Sequence, residues 1–226
     1  MSNHIKTLIL LILIFPMILI SNSDPCSKLK EEVEKLSCYK NEYEKKDKTL
    51  NEVYKNLRKK IGKNLAKEMK LESRVWIKHK EDFCIHPIYT QDSESEKKNS
   101  SHYSCLNEFT EDRIFYLKKA YGRENVKSGL VGEYQDGLGG QILINQNKGQ
   151  NTFLISVVRG PTVHVGQIGG ELKVTQKEYK WKDKQDGENC ELNFTFSDYT
   201  VKVKEIDCAS FHGANAYFDG TYRKIK

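Results

Sequence analysis

The spacing of hydrophobic positions changes once, past the middle of the chain. Upstream of the change, apolar residues recur at three- and four-residue steps, which is the period of an amphipathic α-helix. Met69, Trp76 and Phe83 repeat at seven-residue spacing, and another apolar stripe precedes them within residues 29–61. Because such a narrow stripe needs a partner to bury it, the two stripes predict a helical hairpin that reverses near Gly62.

The pattern predicts three helices in this half of the chain. The first covers residues 27–61 and the second covers residues 65–84. The third is predicted to begin at Thr110, a hydroxyl cap followed by two acidic residues, and to end at Gly122. Residues 90–101 separate the second and third helices, and because no apolar side chain anchors them they predict a mobile loop.

From about residue 128 the period becomes two, which is the period of a β-strand. The Gly-Glu-Tyr of residues 132–134 is echoed by the Gly-Thr-Tyr of residues 220–222, so the first and last strands are expected to pair. Regular short strands with tight turns predict an antiparallel barrel. The other predicted strands cover residues 141–144, 152–158, 162–165, 171–174, 178–181, 192–196 and 200–206.

The first residues have the features of an export signal. Lys6 supplies a positive start, residues 8–20 are apolar, and small residues 21–23 follow. The apolar run is shorter than a membrane span, so we predict a signal peptide over residues 1–23 that is cleaved and leaves no membrane anchor. The mature chain is then periplasmic or secreted. Its fold class is predicted as α+β in two domains, with a disulfide-tied three-helix domain over residues 24–126 and an antiparallel β-barrel over residues 127–226.

All six cysteines follow the predicted cleavage site, and an even count in an exported chain predicts disulfides. In a hairpin that reverses at Gly62, Cys38 and Cys84 lie level, which leaves the other two cysteines of the helical half to pair. The two cysteines of the barrel are equally far from a turn at residues 197–199 and can face each other across one hairpin. The predicted bridges are Cys26 with Cys105, Cys38 with Cys84, and Cys190 with Cys208.

The charges exclude several classes of function. The net charge of +6 comes from well-mixed acidic and basic residues, and no basic run alternates with aromatic residues, so nucleic-acid binding is not predicted.

Residues 136–140 are glycine-rich but precede no helix, which indicates a hairpin turn rather than a phosphate cradle. His164 and His212 are isolated from other ligand types. No catalytic triad, carboxylate pair or metal spacing is present, so we predict no enzyme activity, no metal and no cofactor.

One acidic residue falls on the apolar stripe of the first predicted helix, which is expected to face the second helix. Asp47 lies between Tyr43 and Leu50 on the first helix. A carboxylate there is costly unless it is paired, so Arg74 is predicted as its partner, with Arg113 as an alternative. Asn51, one turn along, could cap this polar cluster.

The helical half resembles the N-terminal domain of the LprI-type lysozyme inhibitors. The similarity rests on an Asp-x-x-Leu-Asn-x-x-Tyr run, an Arg-x-Trp pair, the four cysteines and an arginine after Thr110. The resemblance implies an exported, non-enzymatic protein that binds lysozyme or another envelope protein, with the motif residues supporting the fold. Those motif residues are Asp47, Leu50, Asn51, Tyr54, Arg74, Trp76 and Arg113.

Two hypotheses for the binding surface follow. Lys97 and Lys98, in the predicted loop, could enter the acidic cleft of a lysozyme, where two catalytic carboxylates favour cations. Alternatively, the second half looks like a small lipocalin-like barrel that holds an apolar ligand. Crowding of its interior by large side chains would favour a packed core over such a cavity. These side chains are Phe153, Trp181, Phe194 and Phe196.

Overall fold

The computed structural model describes residues 24–85, 99–173, 177–185 and 188–226. The predicted signal peptide over residues 1–23 and most of the predicted loop lie outside these ranges. Three helices are followed by eight antiparallel strands that form a nearly closed barrel, which confirms the predicted fold class. None of the described helices has the length and apolar character needed to cross a membrane.

The helical half contains α1 (Glu32–Lys60), α2 (Lys63–Ile85) and α3 (Ser100–Tyr116), and α3 continues as a π-helical turn over Leu117–Tyr121. A short 3-10 turn, Cys26–Lys28, precedes α1.

The start of α3 differs from the prediction. The helix begins at Ser100, where the side chain of Asn99 caps it by accepting a hydrogen bond from the backbone N of His102 at 2.9 Å. Thr110 lies inside the helix, fully buried, and its hydroxyl donates to the carbonyl of Leu106 at 2.6 Å. A threonine hydroxyl bonded to the preceding turn mimics a cap in the sequence without starting a helix.

The three helices differ in their relative directions. α2 runs antiparallel to α1 with the turn near Gly62 as predicted, and Lys80 Nζ on α2 donates to the Tyr43 hydroxyl on α1 at 3.0 Å. α3 packs mainly on α1 and runs parallel to it. Near the start of both helices, the backbone N of Ser100 donates to Glu32 at 2.9 Å.

Two of the predicted disulfides are wrong. The structure joins Cys26 to Cys38 and Cys84 to Cys105, in place of Cys26 to Cys105 and Cys38 to Cys84. Because α3 is parallel to α1, Cys105 comes to the same level of the bundle as Cys38 and Cys84, so helix register does not select a pair. The 3-10 turn before α1 folds Cys26 back onto Cys38, and the remaining two cysteines join α2 to α3. The third bridge, Cys190 to Cys208, is found as predicted.

The barrel is an up-and-down meander whose first and last strands pair, as predicted. Tyr134 on β1 lies opposite Lys224 on β8, and the order is β4-β3-β2-β1-β8-β7-β6-β5, so the gap in the barrel falls between β4 and β5. The strands are β1 (Gly132–Gln135), β2 (Gly140–Asn147), β3 (Gln150–Arg159), β4 (His164–Leu172), β5 (Glu178–Gln185), β6 (Glu188–Phe196), β7 (Thr200–Ile206) and β8 (Gly220–Lys224).

β4 is one strand where the sequence predicts two short ones. The glycines between the two predicted runs lie inside β4, where other groups approach the backbone closely. A Cβ atom on Gly166 would clash with His212, and one on Gly170 would clash with Trp181 on β5. These glycines therefore mark close approaches rather than strand ends.

Side chains fill the barrel interior. The four large residues expected to crowd it, Phe153, Trp181, Phe194 and Phe196, are all buried in one apolar cluster. The ring centroids of Phe153 lie 5.5 Å from Trp181 and 5.0 Å from Phe194, both edge to face. The interior is thus an aromatic core with the packing geometry of an ordinary protein interior.

The glycine-rich segment 136–140 forms the turn between β1 and β2, as predicted. Asp136 Oδ1 accepts from the backbone N of Leu138 and of Gly140, at 2.8 and 2.9 Å, and its other oxygen pairs with buried Arg159. Gly137 has a φ of 74°, and a Cβ there would also meet the side chain of Arg113 on α3. Glycine thus lets this hairpin pack directly on the helical half.

A largely buried carboxylate joins the elements of both halves. Glu72 on α2 accepts from Arg113 Nη1 at 2.8 Å and from the hydroxyls of Tyr116 and Tyr121 at 3.1 and 2.7 Å. Arg223 on β8 places its Nε 3.5 Å from the same carboxylate. Burial, followed by the charge of Glu72, raises the pKa of both tyrosines, so they remain protonated donors.

Two further contacts extend this junction. Arg223 Nη2 also donates to Glu68 on α2 at 2.7 Å. Ile225, just after β8, is buried within the apolar cluster of the helical half. The end of the barrel sequence thus packs on the helices.

The predicted ion pair between Asp47 and Arg74 is wrong for the residues that the structure describes. Asp47 accepts from Asn51 Nδ2 at 2.9 Å, and Arg74 is exposed. Two positions separate Arg74 from buried Trp76, which turns its side chain about 200° away around the helix. Arg113, the alternative partner, pairs with Glu72 instead.

The junction predicts a large effect of one substitution on stability. Glu72→Gln should lower the free energy of unfolding of the mature chain by about 3 kcal/mol, because it leaves buried Arg113 without a counter-charge. Asp47→Asn is the matched control and should change it by less than about 0.5 kcal/mol, since Asp47 is only partly buried and bonds a neighbour on its own helix. Urea unfolding of both variants measures this, and equal losses would contradict the assignment of Glu72.

The disulfides give another prediction. Proteolysis of the unreduced mature chain should release peptides that join Cys26 to Cys38 and Cys84 to Cys105, since the turn before α1 and the contact of α2 with α3 set these pairs. Peptide mapping by mass spectrometry, with a reduced sample as control, identifies the bridges. Recovery of a peptide joining Cys38 to Cys84 would show that the hairpin prediction was right.

Candidate partner-binding groove

Six of the seven motif positions come together in one groove. The groove lies between α1, α2 and the end of α3 and has a volume of about 250 Å³. Asp47 does not line it but holds the Asn51 side chain that does. The lining residues are Leu50, Asn51, Tyr54, Lys70, Ser73, Arg74, Trp76, Ile77, Arg113 and Leu117.

The floor of the groove is apolar. Leu50 and Leu117 are buried there, and Trp76 is only 5 % exposed, so this tryptophan belongs to the helical core. Ile77 on the rim is 47 % exposed, although it is a large aliphatic residue. Tyr54, one turn from Leu50 on α1, forms part of the wall. Apolar surface that stays open beside a few polar groups is typical of a recognition site.

The rim of the groove is basic. Lys70 and Arg74 are one turn apart on the exposed face of α2, and neither forms an ion pair with a residue that the structure describes. Outside the lining residues, the guanidinium of Arg58 lies 5.8 Å from the ring centre of Tyr54. By contrast, the charge of Arg113 at the base is neutralised by Glu72. The groove therefore offers two unpaired cations beside an apolar floor, which suits a carboxylate-bearing partner.

Arg113 and Trp76 hold the base of the groove rigid. The guanidinium of Arg113 lies 5.4 Å from the ring centre of Trp76 and 5.0 Å from that of Tyr116. Its Nη2 donates to the hydroxyl of Ser73 at 3.1 Å. Cation-π contacts of this kind fix the side chain in one orientation.

The other residues proposed from the sequence lie elsewhere. Lys97 and Lys98 fall outside the described residues. His212 Nε2 is 3.3 Å from Glu205, and His164 Nε2 is 3.0 Å from the Asn215 amide, so both histidines make local contacts in the barrel half. Among the described residues no cluster of three or more His, Cys, Asp or Glu side chains could hold a metal ion.

Sequence reasoning missed Lys70, Ser73, Ile77 and Leu117 as groove residues. One signal could have found the first of them. Lys70 precedes Arg74 by four positions, so both must share one helix face. Recognition of that cationic face requires only the helical period.

Comparison with known proteins identifies the helical half. No curated protein and no solved structure matches the chain. A family model described as "Lysozyme inhibitor LprI" matches residues 24–117, which contain α1, α2, α3 and every residue that lines the groove. The barrel lies beyond this match. The helical half of the chain is therefore similar to the LprI family of lysozyme inhibitors.

Proposed function

We propose that this protein is an exported, non-enzymatic inhibitor that binds lysozyme through the groove of its helical half. The observation that carries the proposal is the convergence of six motif residues on one groove whose rim bears Lys70 and Arg74, which form no ion pair with a described residue. The family match over residues 24–117 supports lysozyme as the partner. Three disulfides are typical of proteins that work outside the cytosol and support export.

The groove suits inhibition by occlusion. A lysozyme carries two catalytic carboxylates in its cleft, and cationic side chains from another protein are attracted to them. Lys70 and Arg74 project from a helix whose backbone is already ordered. Binding therefore restricts the conformational freedom of these side chains but not that of the backbone. Exposed Ile77 and the apolar floor beside them would add apolar contact area to this interface. Such contact blocks the substrate without any bond-making step.

The barrel supports this arrangement as a scaffold. The alternative of a lipocalin-like barrel with a small apolar ligand requires space inside the barrel. Phe153, Trp181 and Phe194 occupy that interior in mutual ring contact. Titration of the mature chain with an environment-sensitive apolar dye is the measurement for this alternative, since a filled interior should give no saturable binding.

A lysozyme clearing assay with charge-reversed variants tests the proposed groove. The mature chain should slow the enzyme, and Lys70→Glu with Arg74→Glu should weaken inhibition by at least about tenfold, because reversed charges repel the catalytic carboxylates. The control is Lys127→Glu with Lys148→Glu, which changes the net charge equally at exposed residues away from the groove. The melting temperature of each variant confirms its folding.

The outcomes separate the groove from other surfaces. Equal losses in the two charge-reversed pairs would attribute binding to net charge rather than to the groove. A loss confined to Lys97→Ala with Lys98→Ala would move the contact to that segment. If the unmodified mature chain at micromolar concentration leaves the enzyme unaffected, the inhibitor proposal fails.

A further inference from the structure

A second cleft lies at the junction of the two halves, between α2, α3 and the hairpin of β1 and β2. Its volume is about 410 Å³. Trp76 and Arg113 line both this cleft and the basic groove, so they form the partition between the two sites. Junctions between domains are a frequent location of ligand sites.

The helical wall of the cleft is aromatic. His79 packs edge to face against Phe83 and Phe109, with ring centres 4.6 and 5.8 Å apart. Phe115 also lines the cleft and is 43 % exposed, which is high for a phenylalanine beside a core. The faces of aromatic rings carry partial negative charge and attract cations.

The cleft contains one acidic group, whose charge is only partly offset by Lys46, a cation that pairs with the neighbouring Glu111. Asp112 is the one carboxylate among the described residues that line it, and it forms no ion pair with any described residue. Burial, with a contribution from Glu111, raises the pKa of the Asp112 carboxyl. The Asp112 side chain is nonetheless exposed to solvent at the mouth of the cleft, so it is accessible to a positive partner that would stabilise its charged form.

The basic groups around the cleft do not oppose a cation. Arg113 is paired with Glu72, and Arg159, behind the hairpin, is paired with Asp136. Burial and then the charge of Arg159 lower the pKa of His79, which keeps its ring neutral near pH 7. The unbalanced charge at the mouth of this aromatic cleft is thus negative.

We propose that this cleft binds a guanidinium or ammonium group on an aliphatic chain, with Asp112 as its counter-ion and the aromatic wall around its stem. The group belongs either to a free small molecule or to a side chain of a partner protein, since both present the same chemistry. The site is separate from the basic groove, and its binding does not depend on lysozyme inhibition.

Calorimetric titration of the mature chain with argininamide and citrullinamide tests this directly, because the two amides have the same shape and differ in charge. Argininamide should bind saturably in the millimolar range, about tenfold more tightly than citrullinamide. Asp112→Asn should abolish this preference. Glu108→Gln, one turn before Asp112 on α3 at an exposed position outside the cleft lining, should preserve it.

Further variants test the role of the aromatic wall and the source of the cation. Phe115→Ala should weaken argininamide binding several-fold, because it removes part of the ring surface. If Asp112→Asn also weakens the binding of lysozyme, the cation comes from a protein side chain, and if it does not, a free ligand is the source. Equal affinity for the two amides, or an Asp112→Asn variant that keeps the preference, would overturn the proposal. If the mature chain binds argininamide but leaves lysozyme unaffected, the proposed lysozyme inhibition fails and the cation site stands.

Discussion

The carboxylate of Glu72 is the interaction on which the arrangement of this protein depends. It receives Arg113 from α3, two tyrosines from the end of that helix, and Arg223 from the last strand of the barrel. A buried charge is costly unless it is surrounded by donors, and here the donors come from elements far apart in sequence. Satisfying one carboxylate therefore fixes α3 on α2 and the barrel on both.

The two candidate sites are consequences of that junction. Arg113, held by Glu72, stacks between Trp76 and Tyr116 and forms a partition with an open surface on either side. On one side the exposed face of α2 adds cations, and on the other α3 adds Asp112. The chain thus presents opposite charges on neighbouring surfaces, although its net charge is only modestly positive. Local charge, rather than net charge, decides which partner group each surface attracts.

The barrel positions the hairpin that packs on α3 and does not itself offer an internal cavity among the described residues. Its interior is filled by aromatic and aliphatic side chains, whereas the hairpin of residues 136–140 reaches out to α3 without side chains at its tightest contact. Asp136 shapes that hairpin by accepting from two backbone amides and pairing with Arg159. The barrel side of the cleft therefore combines the backbone of three glycines with the residues Gln135, Leu138, Gln141 and Val158.

The sequence by itself determined the features that depend on near neighbours. The change of period placed the helical hairpin and the meander, the matching ends of the barrel indicated the pairing of β1 with β8, and one hairpin placed Cys190 beside Cys208. The motif residues were also identifiable, because the resemblance to the LprI-type inhibitors rests on them. The hairpin and the meander follow from dihedral periodicity within one or two elements, whereas the barrel closure follows from a sequence match between its ends.

Only the tertiary structure decided which partner each residue takes when several lie within reach. Cys38, Cys84 and Cys105 share one level of the bundle, so the direction of α3 and the turn before α1 selected the disulfides. Likewise, the rotation of α2 turned Arg74 outward and Glu72 inward, so Arg113 found Glu72 and not Asp47. Spacing along one helix cannot show this, because the choice depends on where a third element packs.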